Sequence, residues 1–273
     1  MGMGQMRVDA GDVAGNLRRA REMVTRAGVA GCDVVVLPEC LDVGWTCAET
    51  PTLAARIPGP CSDVLCQAAA DAGLHVVAGL AERSGGRVHN AAVLISPSGE
   101  ILLHHRKIHE LDIALPLYEP GRSLAVVETA IGCIGLLVCA DAFPSSLSLG
   151  HALGRMGADA VLSPCAWAVE ADHDQRTQPY GAIWRASYTE LARLYDVAVV
   201  GTSCVGPMAS GVWAGRRCIG CSLAVGPGGG ILAEGPYGEA AEALVTVRIP
   251  LAARPGAGTA LTAELRRRGY RGP

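Results

Sequence analysis

Hydrophobic and polar positions recur along the chain with two spacings, one typical of helices and one typical of strands. Residues 12–28 have the sequence DVAGNLRRAREMVTRAG. Their apolar positions, among them Val13, Leu17 and Ala20, share one helical face while the arginines lie elsewhere, which predicts an amphipathic helix. The next run, DVVVLPE at 33–39, is short, β-branched and interrupted by a proline, as expected for a buried strand that ends there.

Helix and strand signals continue to alternate along the rest of the chain. Helices are predicted at about 62–72, 146–156 and 183–195, with apolar strand runs between them. Two hairpins are predicted, one turning at Ser-Pro-Ser-Gly before ILLHHRK and one at Gly-Pro-Gly-Gly-Gly before ILAEG. Strands that alternate with helices, together with hairpins, indicate an α/β protein with mixed sheets. The pattern fits a three-layer doubly wound fold and a four-layer sandwich equally well.

The interior of the chain contains no Pro/Ser/Gly-rich linker and no repeat of fixed period. We therefore predict a single domain over residues 1–252. From residue 253 onward the composition changes to Gly, Pro and Arg, so residues 253–273 are predicted to form a C-terminal tail or arm with one short helix.

Composition excludes several classes of protein. Half of the residues are hydrophobic and 18% are charged, which predicts a large core and argues against disorder. The net charge of −3, with no long run of one sign, lacks the basic footprint of a nucleic-acid binder. No apolar run approaches the roughly 18 to 20 residues of a membrane span. We expect neither a nucleic acid nor a membrane as partner.

The cysteines indicate the compartment. There are 11 of them, an odd number, and the N-terminus lacks the basic and apolar regions of a secretory signal. Free thiols in a reducing cytoplasm fit this usage better than a disulfide framework does.

Two features resemble metal sites, and neither predicts one. The pair Cys218 and Cys221 has CxxC spacing but no second pair at zinc spacing. In HHRKIH, strand alternation directs His104 away from His105, and His109 follows the end of the strand. We expect no metal.

Three strand ends carry reactive side chains: VVVLPE ends in Glu39, ILLHHRK ends in Lys107, and IGLLVC ends in Cys139. The carboxyl ends of strands are where chemistry collects in α/β folds. Lys107 is the only lysine in the chain, whereas the other 22 basic residues are arginine. Each residue alone has a structural explanation: Glu39 as a hydrogen-bonded carboxylate, Cys139 as a core thiol, and Lys107 as a lysine left over in an arginine-rich composition. Their equivalent positions favour a common function.

A thiol, a carboxylate and an ammonium form a workable nucleophilic site. The thiol of Cys139 needs a base, which the Glu39 carboxylate supplies, and the proton can later pass to a leaving amine. A compact ammonium at Lys107 favours the thiolate and stabilises an oxyanion. Arginine presents its charge as a planar fork, which explains why a sequence rich in arginine has lysine at this one place.

The segments VVVLPE, HHRKIH and IGLLVCADAFP resemble the three signature segments of the nitrilase, or carbon–nitrogen hydrolase, superfamily. The resemblance extends over most of the chain, through YEPG, GADAVLSPCAW and CSLAVGPGGGILAE. It implies a four-layer α-β-β-α sandwich of mixed sheets, a homodimer or larger homo-oligomer with the C-terminal arm at an interface, and no metal or organic cofactor. It also implies that Cys139 is the nucleophile, Glu39 the general base and acid, Lys107 an oxyanion stabiliser, and the Ala140 backbone N–H a second oxyanion donor.

Family members often have a second glutamate that holds the lysine and assists the water. The usual spacing is not matched here, and Glu110 and Glu119 are both candidates. Glu110 lies three residues after Lys107 and is favoured, whereas Glu119 lies in YEPG, where a side chain can face solvent. Members also often have RFPE after the Asp that follows the nucleophile, and in carbamoyl-amino-acid hydrolases that region supplies cations for the substrate carboxylate. Arginine is absent from CADAFPS here, which disfavours N-carbamoyl hydrolysis.

Candidate substrate-binding residues follow the strand ends. Trp45 comes after the Glu39 strand, and Trp167 and Cys165 end the SPCAW strand. Each tryptophan fits a core position nearly as well. The polar loop 170–181 offers His173 as a substrate contact, and a solvated loop is its alternative explanation.

The leading hypothesis is a hydrolase that cleaves a small, non-peptide carboxamide through a cysteine thioester and releases ammonia or an amine. Nitrile hydrolysis, N-carbamoyl hydrolysis and acyl transfer to an amine start from the same trio and stay open. A Cys-His hydrolase would need a G-x-C-x-G elbow or an oriented histidine, and LVCAD has neither. A catalytically silent binding protein is least favoured because the trio is intact.

Overall fold

The computed structural model describes residues 1–252 and 256–272. Residues 253–255 and Pro273, which belong to the predicted arm, lie outside this part. The helices are α1 (Val13–Val29), α2 (Thr50–Leu53), α3 (Pro60–Ala72), α4 (Leu147–Arg155), α5 (Ala182–Tyr195) and α6 (Gly258–Arg267). The strands are β1 (Gly2–Gln5), β2 (Val34–Val36), β3 (His75–Ser84), β4 (Arg87–Ile95), β5 (Ile101–Arg106), β6 (Val126–Thr129), β7 (Gly132–Leu136), β8 (Ala160–Cys165), β9 (Ala168–Val169), β10 (Ala198–Ser203), β11 (Val205–Pro207), β12 (Arg217–Ile219), β13 (Leu223–Val225), β14 (Ile231–Glu234) and β15 (Ala243–Thr246).

Two six-stranded mixed sheets carry the fold, with strand orders β15-β1-β2-β3-β4-β5 and β14-β13-β10-β8-β7-β6. Each has three parallel strands, β1, β2 and β3 in one and β7, β8 and β10 in the other. Antiparallel strands flank these parallel groups on both sides. A small third sheet has the order β11-β12-β9. The mixed α/β prediction is therefore confirmed.

The core is divided into three apolar layers. One cluster, which includes Leu17, Leu65 and Val76, lies where α1 and α3 cover the first sheet. A second cluster, which includes Leu153 and Leu191, lies where α4 and α5 cover the other sheet. A third cluster fills the space between the sheets. Helices on the outer face of each of two stacked sheets give the predicted four-layer α-β-β-α sandwich.

The predicted helices are present with small shifts at their ends. The first begins at its cap, Asp12, whose carboxylate accepts a hydrogen bond from the Gly15 N–H at 3.0 Å. Its predicted apolar face is buried, including Leu17, Ala20 and Val24. Both predicted hairpins are also present, as β4–β5 and β13–β14.

The prediction missed β1, β6 and the two-residue strand β9, and it extended one strand too far. β1 is formed by GMGQ, which has no strand-like composition, yet it is fully buried between β2 and β15. β6 was not predicted either. The strand predicted to end at Cys139, in IGLLVC, pairs only to Leu136, because the backbone turns at Cys139 and continues as a 3-10 turn, Cys139–Ala142.

The predicted arm contains the expected short helix, α6. Its Leu261 and Leu265 are buried in the cluster that α4 and α5 form. Within residues 1–252 and 256–272, none of the helices has the length and apolarity that a membrane crossing requires.

Candidate active site

The three predicted reactive side chains meet around one small cavity. Glu39 follows β2, Lys107 follows β5, and Cys139 follows β7, so strand ends from both sheets contribute. All three line the same cavity of about 50 Å³. The two sheets are joined here by a hydrogen bond of 3.2 Å from the Glu39 N–H to the Cys165 carbonyl.

Lys107 forms the electrostatic centre of the site. Its side chain is 1% exposed, and its Nζ lies 2.7 Å from Glu39 Oε1 and 3.4 Å from Glu110 Oε2. The Nζ also lies 5.5 Å from the centre of the Trp45 ring, within range of a cation–π contact. One ammonium thus serves two buried carboxylates.

Asn90 holds Glu39 together with the lysine, and its position in the middle of β4 gave no signal in the sequence. Its Nδ2 donates to the same Oε1 at 2.7 Å. The amide is oriented by the Cys40 thiol, which donates to its Oδ1 at 3.4 Å. Lys107 extends the β4–β5 ladder by donating its N–H to the Asn90 carbonyl, so the two donors are cross-strand neighbours. The side-chain hydrogen bonds from Asn90 and Lys107 therefore both end on Oε1 of Glu39, and neither involves Oε2.

The backbone of Glu39 is seated against β3. A Cβ added to Gly79 would lie 2.5 Å from the Glu39 Cα. Only glycine therefore allows β3 to approach so closely, and this approach fixes the height of the carboxylate above the sheet.

Cys139 lies on a strained turn. Its φ is +43°, which is rare for a residue other than glycine and is frequent at functional sites. Its N–H donates to Ser163 Oγ at 3.1 Å. The segment LVCAD contains no glycine, the residue that usually indicates a positive φ, so the sequence did not predict this turn.

Asp141 ties the lysine segment to the cysteine segment. Its carboxylate accepts hydrogen bonds from the N–H groups of Val138, Ile108 and His109 at 2.7 to 3.0 Å, and from His105 Nε2 at 2.8 Å. Hydrogen bonds from His105 and the backbone outweigh burial and lower the pKa of Asp141. The carboxylate therefore links the two segments as a structural group.

The pKa values of the site reflect burial and charge. Burial raises the pKa of the Cys139 thiol well above its usual range; the neighbouring Cys165 and Glu39 act in the same direction, and Lys107 opposes them. Burial alone would lower the pKa of Lys107, but the charges of Glu110 and Glu39 outweigh it and raise the pKa. Burial raises the pKa of Glu110 to about 7, against the pull of Lys107. The resting site therefore contains a neutral thiol beside a charged lysine.

Of the two candidate second glutamates, the structure brings only Glu110 to the site. Its carboxylate is buried beside Lys107. Glu119 lies at the surface, where its Oε1 pairs with Arg87 Nη1 at 2.7 Å and also meets Arg122.

Aromatic side chains form most of the remaining wall. The predicted residues Trp45, Trp167 and Ala140 line the cavity. Cys165 lies behind the wall, within reach of Ser163 and Tyr188. The lining residues that the sequence did not suggest are Leu111, Phe143, Ala166, Ala168, Tyr180, Trp184 and Trp213.

His173 is not part of this wall. Its ring packs 6.4 Å from the ring of Tyr237, and its carbonyl accepts a hydrogen bond from Arg217. Tyr180, from the same polar loop, lines the cavity instead. Loop polarity indicated the right segment but could not identify which side chain turns inward.

The histidines of HHRKIH have separate partners: His104 meets Glu82, His105 meets Asp141, and His109 lies near Ser145. His104 is partly exposed and His105 is buried, so strand alternation separates them as expected. In the part of the chain that the structure describes, no three His, Cys, Asp or Glu side chains are grouped to hold a metal ion. All 11 cysteines, which lie in that same part, are free thiols, as predicted.

Comparisons with known proteins bear on this arrangement. The family model described as carbon-nitrogen hydrolase matches residues 1–254. The omega-amidase NIT2 of Danio rerio is 36% identical over 138 residues, which cover 47% of this chain and 50% of that relative. The chain thus spans about half the length of the omega-amidases it matches. A nitrilase of Pyrococcus abyssi is 31% identical over 183 residues, covering 65% of this chain and 68% of that protein.

Solved structures share the fold. The NitN amidase of Nesterenkonia sp. AN1 superposes with a TM-score of 0.78 and 23% identity, covering 97% of both chains. One variant of that amidase shows Michael addition of acrylamide at its active-site cysteine. Another, with a TM-score of 0.73, 23% identity and coverage of 87% of this chain and 86% of its own, shows covalent addition of the acetamide moiety of fluoroacetamide at that cysteine. At this identity the likeness establishes the α-β-β-α fold.

Proposed function

The chain belongs to the carbon–nitrogen hydrolase family, and from this premise we propose that it hydrolyses a small, non-peptide carboxamide through a thioester on Cys139. The observation that carries the proposal is the contact of one buried ammonium, Lys107 Nζ, with Glu39 Oε1 at 2.7 Å, beside a thiol at a strained turn. The covalent cysteine adducts of the Nesterenkonia amidase support the same chemistry.

In the first half of the reaction, Cys139 Sγ attacks the amide carbon. The thiol proton passes to Glu39, since a thiol with a raised pKa needs a base as it attacks. The C–S bond forms and the carbonyl oxygen becomes an oxyanion, which the Lys107 ammonium and the Ala140 N–H stabilise. The C–N bond then breaks as Glu39 gives its proton to nitrogen, and ammonia or an amine leaves.

In the second half, water attacks the thioester carbon. Glu39 accepts a proton from the water, the C–S bond breaks, and the proton returns to the sulfur as the carboxylic acid departs. Glu110, whose Oε2 lies 3.4 Å from Lys107 Nζ, holds the lysine and assists in placing the water. Convergence of Asn90 and Lys107 on Oε1 supports Oε2 as the proton-carrying oxygen.

Nitrile hydrolysis, carbamoyl hydrolysis and acyl transfer to an amine use the same trio and remain the alternatives. The absence of arginine from the described cavity wall supports an amide over a carbamoyl amino acid, whose carboxylate needs a cation.

The experiment is a panel of primary amides, nitriles and carbamoyl compounds, with release of ammonia and intact mass as readouts. We expect ammonia from amides and an acyl adduct whose mass is lost in Cys139→Ala. Cys165→Ala, which removes a neighbouring thiol, is the matched control and should still form the adduct. If no amide forms an adduct, or if the adduct persists in Cys139→Ala, the proposal is wrong.

Three further expectations belong to this proposal. We infer a homodimer or larger homo-oligomer, supported by the exposed apolar residues Ile183, Ile231 and Leu232 on α5 and β14. We also infer that residues 1–252 are the catalytic domain and 253–273 an arm near an interface. Free thiols at all 11 cysteines support a cytoplasmic location. Light scattering of the full chain and of a 1–252 truncation tests the assembly.

A further inference from the structure

The cavity has an inner wall and a rim, which differ in exposure to solvent. Lys107, Trp45 and Trp167 in its lining are each at most 7% exposed. Trp213 lines the same cavity, but its side chain is only half-buried. It belongs to the loop 208–216, which joins β11 to β12 in the small third sheet. Trp213 therefore lies at the rim, in contact with both the cavity and solvent.

The ring of Trp213 has two defined neighbours. It lies edge-on to the ring of Trp45, with 4.8 Å between the ring centres and 86° between the planes. The guanidinium of Arg216 lies 4.0 Å from the centre of the Trp213 ring and pairs with Glu170, which follows β9. Trp45 in turn lies against the Lys107 ammonium, 5.5 Å from its ring centre. The position of Trp213 therefore affects the space beside the reactive groups.

The loop 208–216 is fastened to the segment that follows β2. Ser210 Oγ accepts a hydrogen bond from the Ala48 N–H at 3.1 Å and donates one to Glu49 Oε2 at 3.0 Å. The same Oε2 accepts a hydrogen bond from Cys47 Sγ at 3.0 Å. Hydrogen bonds from Cys47 and Ser210 lower the pKa of Glu49, so the acceptor is an ionised carboxylate at neutral pH. One carboxylate oxygen thus joins the two segments.

The same two segments also meet through their backbones. Gly211 has a φ of +83°, and a Cβ at this position would lie 1.6 Å from the Thr46 carbonyl oxygen. Only glycine therefore allows this close approach, two residues before Trp213. The Met208 N–H donates to the Arg216 carbonyl at 2.9 Å and closes the base of the loop. Because the loop is compact and closed, a loss of contact on one side displaces the tryptophan as well.

We propose that Trp213 determines how far an amide can extend beyond the cavity, and that Glu49 is a positioning residue that holds Trp213 there through Ser210. The proposal rests on the proposed amidase function and specifies the residues that limit substrate size. An amide larger than the cavity of about 50 Å³ has to pass the rim and displace the indole. That displacement costs the contacts of the indole with Trp45 and Arg216.

Propanamide and phenylacetamide measure this limit through the ratio of their kcat/KM values for ammonia release. Trp213→Ala should shift the ratio toward phenylacetamide on the order of tenfold or more, because it removes the ring that blocks the larger group. Glu49→Ala and Ser210→Ala should each shift it in the same direction by about two- to tenfold, the effect of a lost hydrogen bond. Glu49→Gln keeps an acceptor oxygen and should restore the wild-type ratio. In the Trp213→Ala background, Glu49→Ala should add no further shift.

A second readout does not depend on amide hydrolysis. Iodoacetamide and its bulkier N-phenyl analogue, iodoacetanilide, alkylate thiols, and peptide masses give the rate of each at Cys139. The ratio of the two rates should shift toward the bulkier reagent in Trp213→Ala, Glu49→Ala and Ser210→Ala. Glu22→Ala is the control, because it removes an exposed glutamate of α1, outside the cavity lining, and should shift neither ratio.

The outcomes separate this proposal from the amidase function. Unchanged ratios in Trp213→Ala, or in both Glu49→Ala and Ser210→Ala, would overturn the proposal. So would a further shift when Glu49→Ala is added to Trp213→Ala, since Glu49 would then act by another route. Shifted alkylation ratios in an enzyme that releases ammonia from no amide would support the role of Trp213 at the rim and refute the amidase function.

Discussion

Arg106 and Lys107 are neighbours at the end of β5, but their cations lie in opposite environments. The Arg106 guanidinium is about one third exposed and forms a bidentate pair with Glu82, at 2.6 and 2.7 Å. The Lys107 ammonium is 1% exposed and faces Glu39 and Glu110. Alternation along the strand sends one side chain to the rim and the next into the sandwich.

The two carboxylate environments differ in the same way. Burial acts to raise the pKa of Glu82, but hydrogen bonds from His104 and Arg106 outweigh it and lower the pKa to about 2. Burial raises the pKa of Glu110 to about 7 although Lys107 opposes it. The partly exposed guanidinium of Arg106 forms two hydrogen bonds with Glu82 and keeps it ionised. The buried ammonium of Lys107 is shared by two carboxylates, and one of them, Glu110, is therefore easy to protonate. The second arrangement suits proton transfer near neutral pH.

The largest difference between the two cations should appear on their removal. Lys107→Ala leaves two carboxylates buried without a cation and should lower the free energy of unfolding by about 3 to 5 kcal/mol. Arg106→Ala breaks a partly exposed pair and should cost about 1 kcal/mol or less. Urea unfolding at pH 8, above the pKa of about 7 of Glu110, measures both values. Equal losses would contradict the division into rim and interior.

Glu110 should make stability depend on pH. Its pKa is about 7 in the folded chain and about 4.3 when unfolded. The folded state therefore binds more protons between these values, and its stability should be greatest below the unfolded pKa and fall as pH rises toward 7, by about 3 kcal/mol from this residue. Glu110→Gln should flatten the profile by that amount.

Asp42 provides the control for this pH profile. It is fully buried, its pKa is also raised to about 7 by burial, and it accepts hydrogen bonds from the N–H groups of Val43 and Ala81. The fall in stability that remains in Glu110→Gln as pH rises toward 7 should therefore become smaller in the double variant with Asp42→Asn. A Glu110→Gln profile that matches the wild type would show that Glu110 is ionised throughout.

Asn90 should have an intermediate effect, because it shares one oxygen of Glu39 with Lys107. Asn90→Ala should lower kcat by about 10- to 100-fold, since a misdirected carboxylate loses part of its efficiency as a base. KM should change little, because Asn90 is not among the residues that line the cavity. A change confined to KM would show that Asn90 shapes the pocket rather than the base.

Much of the candidate site was predictable because it depends on strand ends. Apolar runs that stop at Glu39, Lys107 and Cys139 mark the carboxyl ends of β2, β5 and β7, and these ends meet in a sandwich. Burial of β1 was not predictable, because Gly-Met-Gly-Gln carries no strand signal and forms a strand only through its neighbours.

The wall of the cavity was less predictable than its reactive groups. Trp184 lies on α5, and packing of the apolar face of that helix against the core is enough to explain a tryptophan there, so its position gave no sign of a binding site. Trp213 reaches the cavity from a loop far along the chain and packs edge-on against Trp45, at 4.8 Å between ring centres. Such contacts depend on how distant loops fold over the sheet ends, and no local pattern in the sequence encodes them.

The smallest effect should come from the conservative exchange at the rim. Arg106→Lys replaces a bidentate pair with a single contact, so it should lower the free energy of unfolding by less than about 1 kcal/mol and change the rate of amide hydrolysis less than about twofold. A large loss of activity in this variant would mean that the rim pair also shapes the site.

The opposite exchange at the neighbouring position tests most directly the claim that this site requires a compact point charge. Lys107→Arg should retain the fold by circular dichroism and lose about a thousandfold or more of kcat/KM for ammonia release from a primary amide, because a guanidinium cannot occupy the same buried point between two carboxylates and an oxyanion. Normal turnover by Lys107→Arg, measured beside Arg106→Lys, would contradict the account.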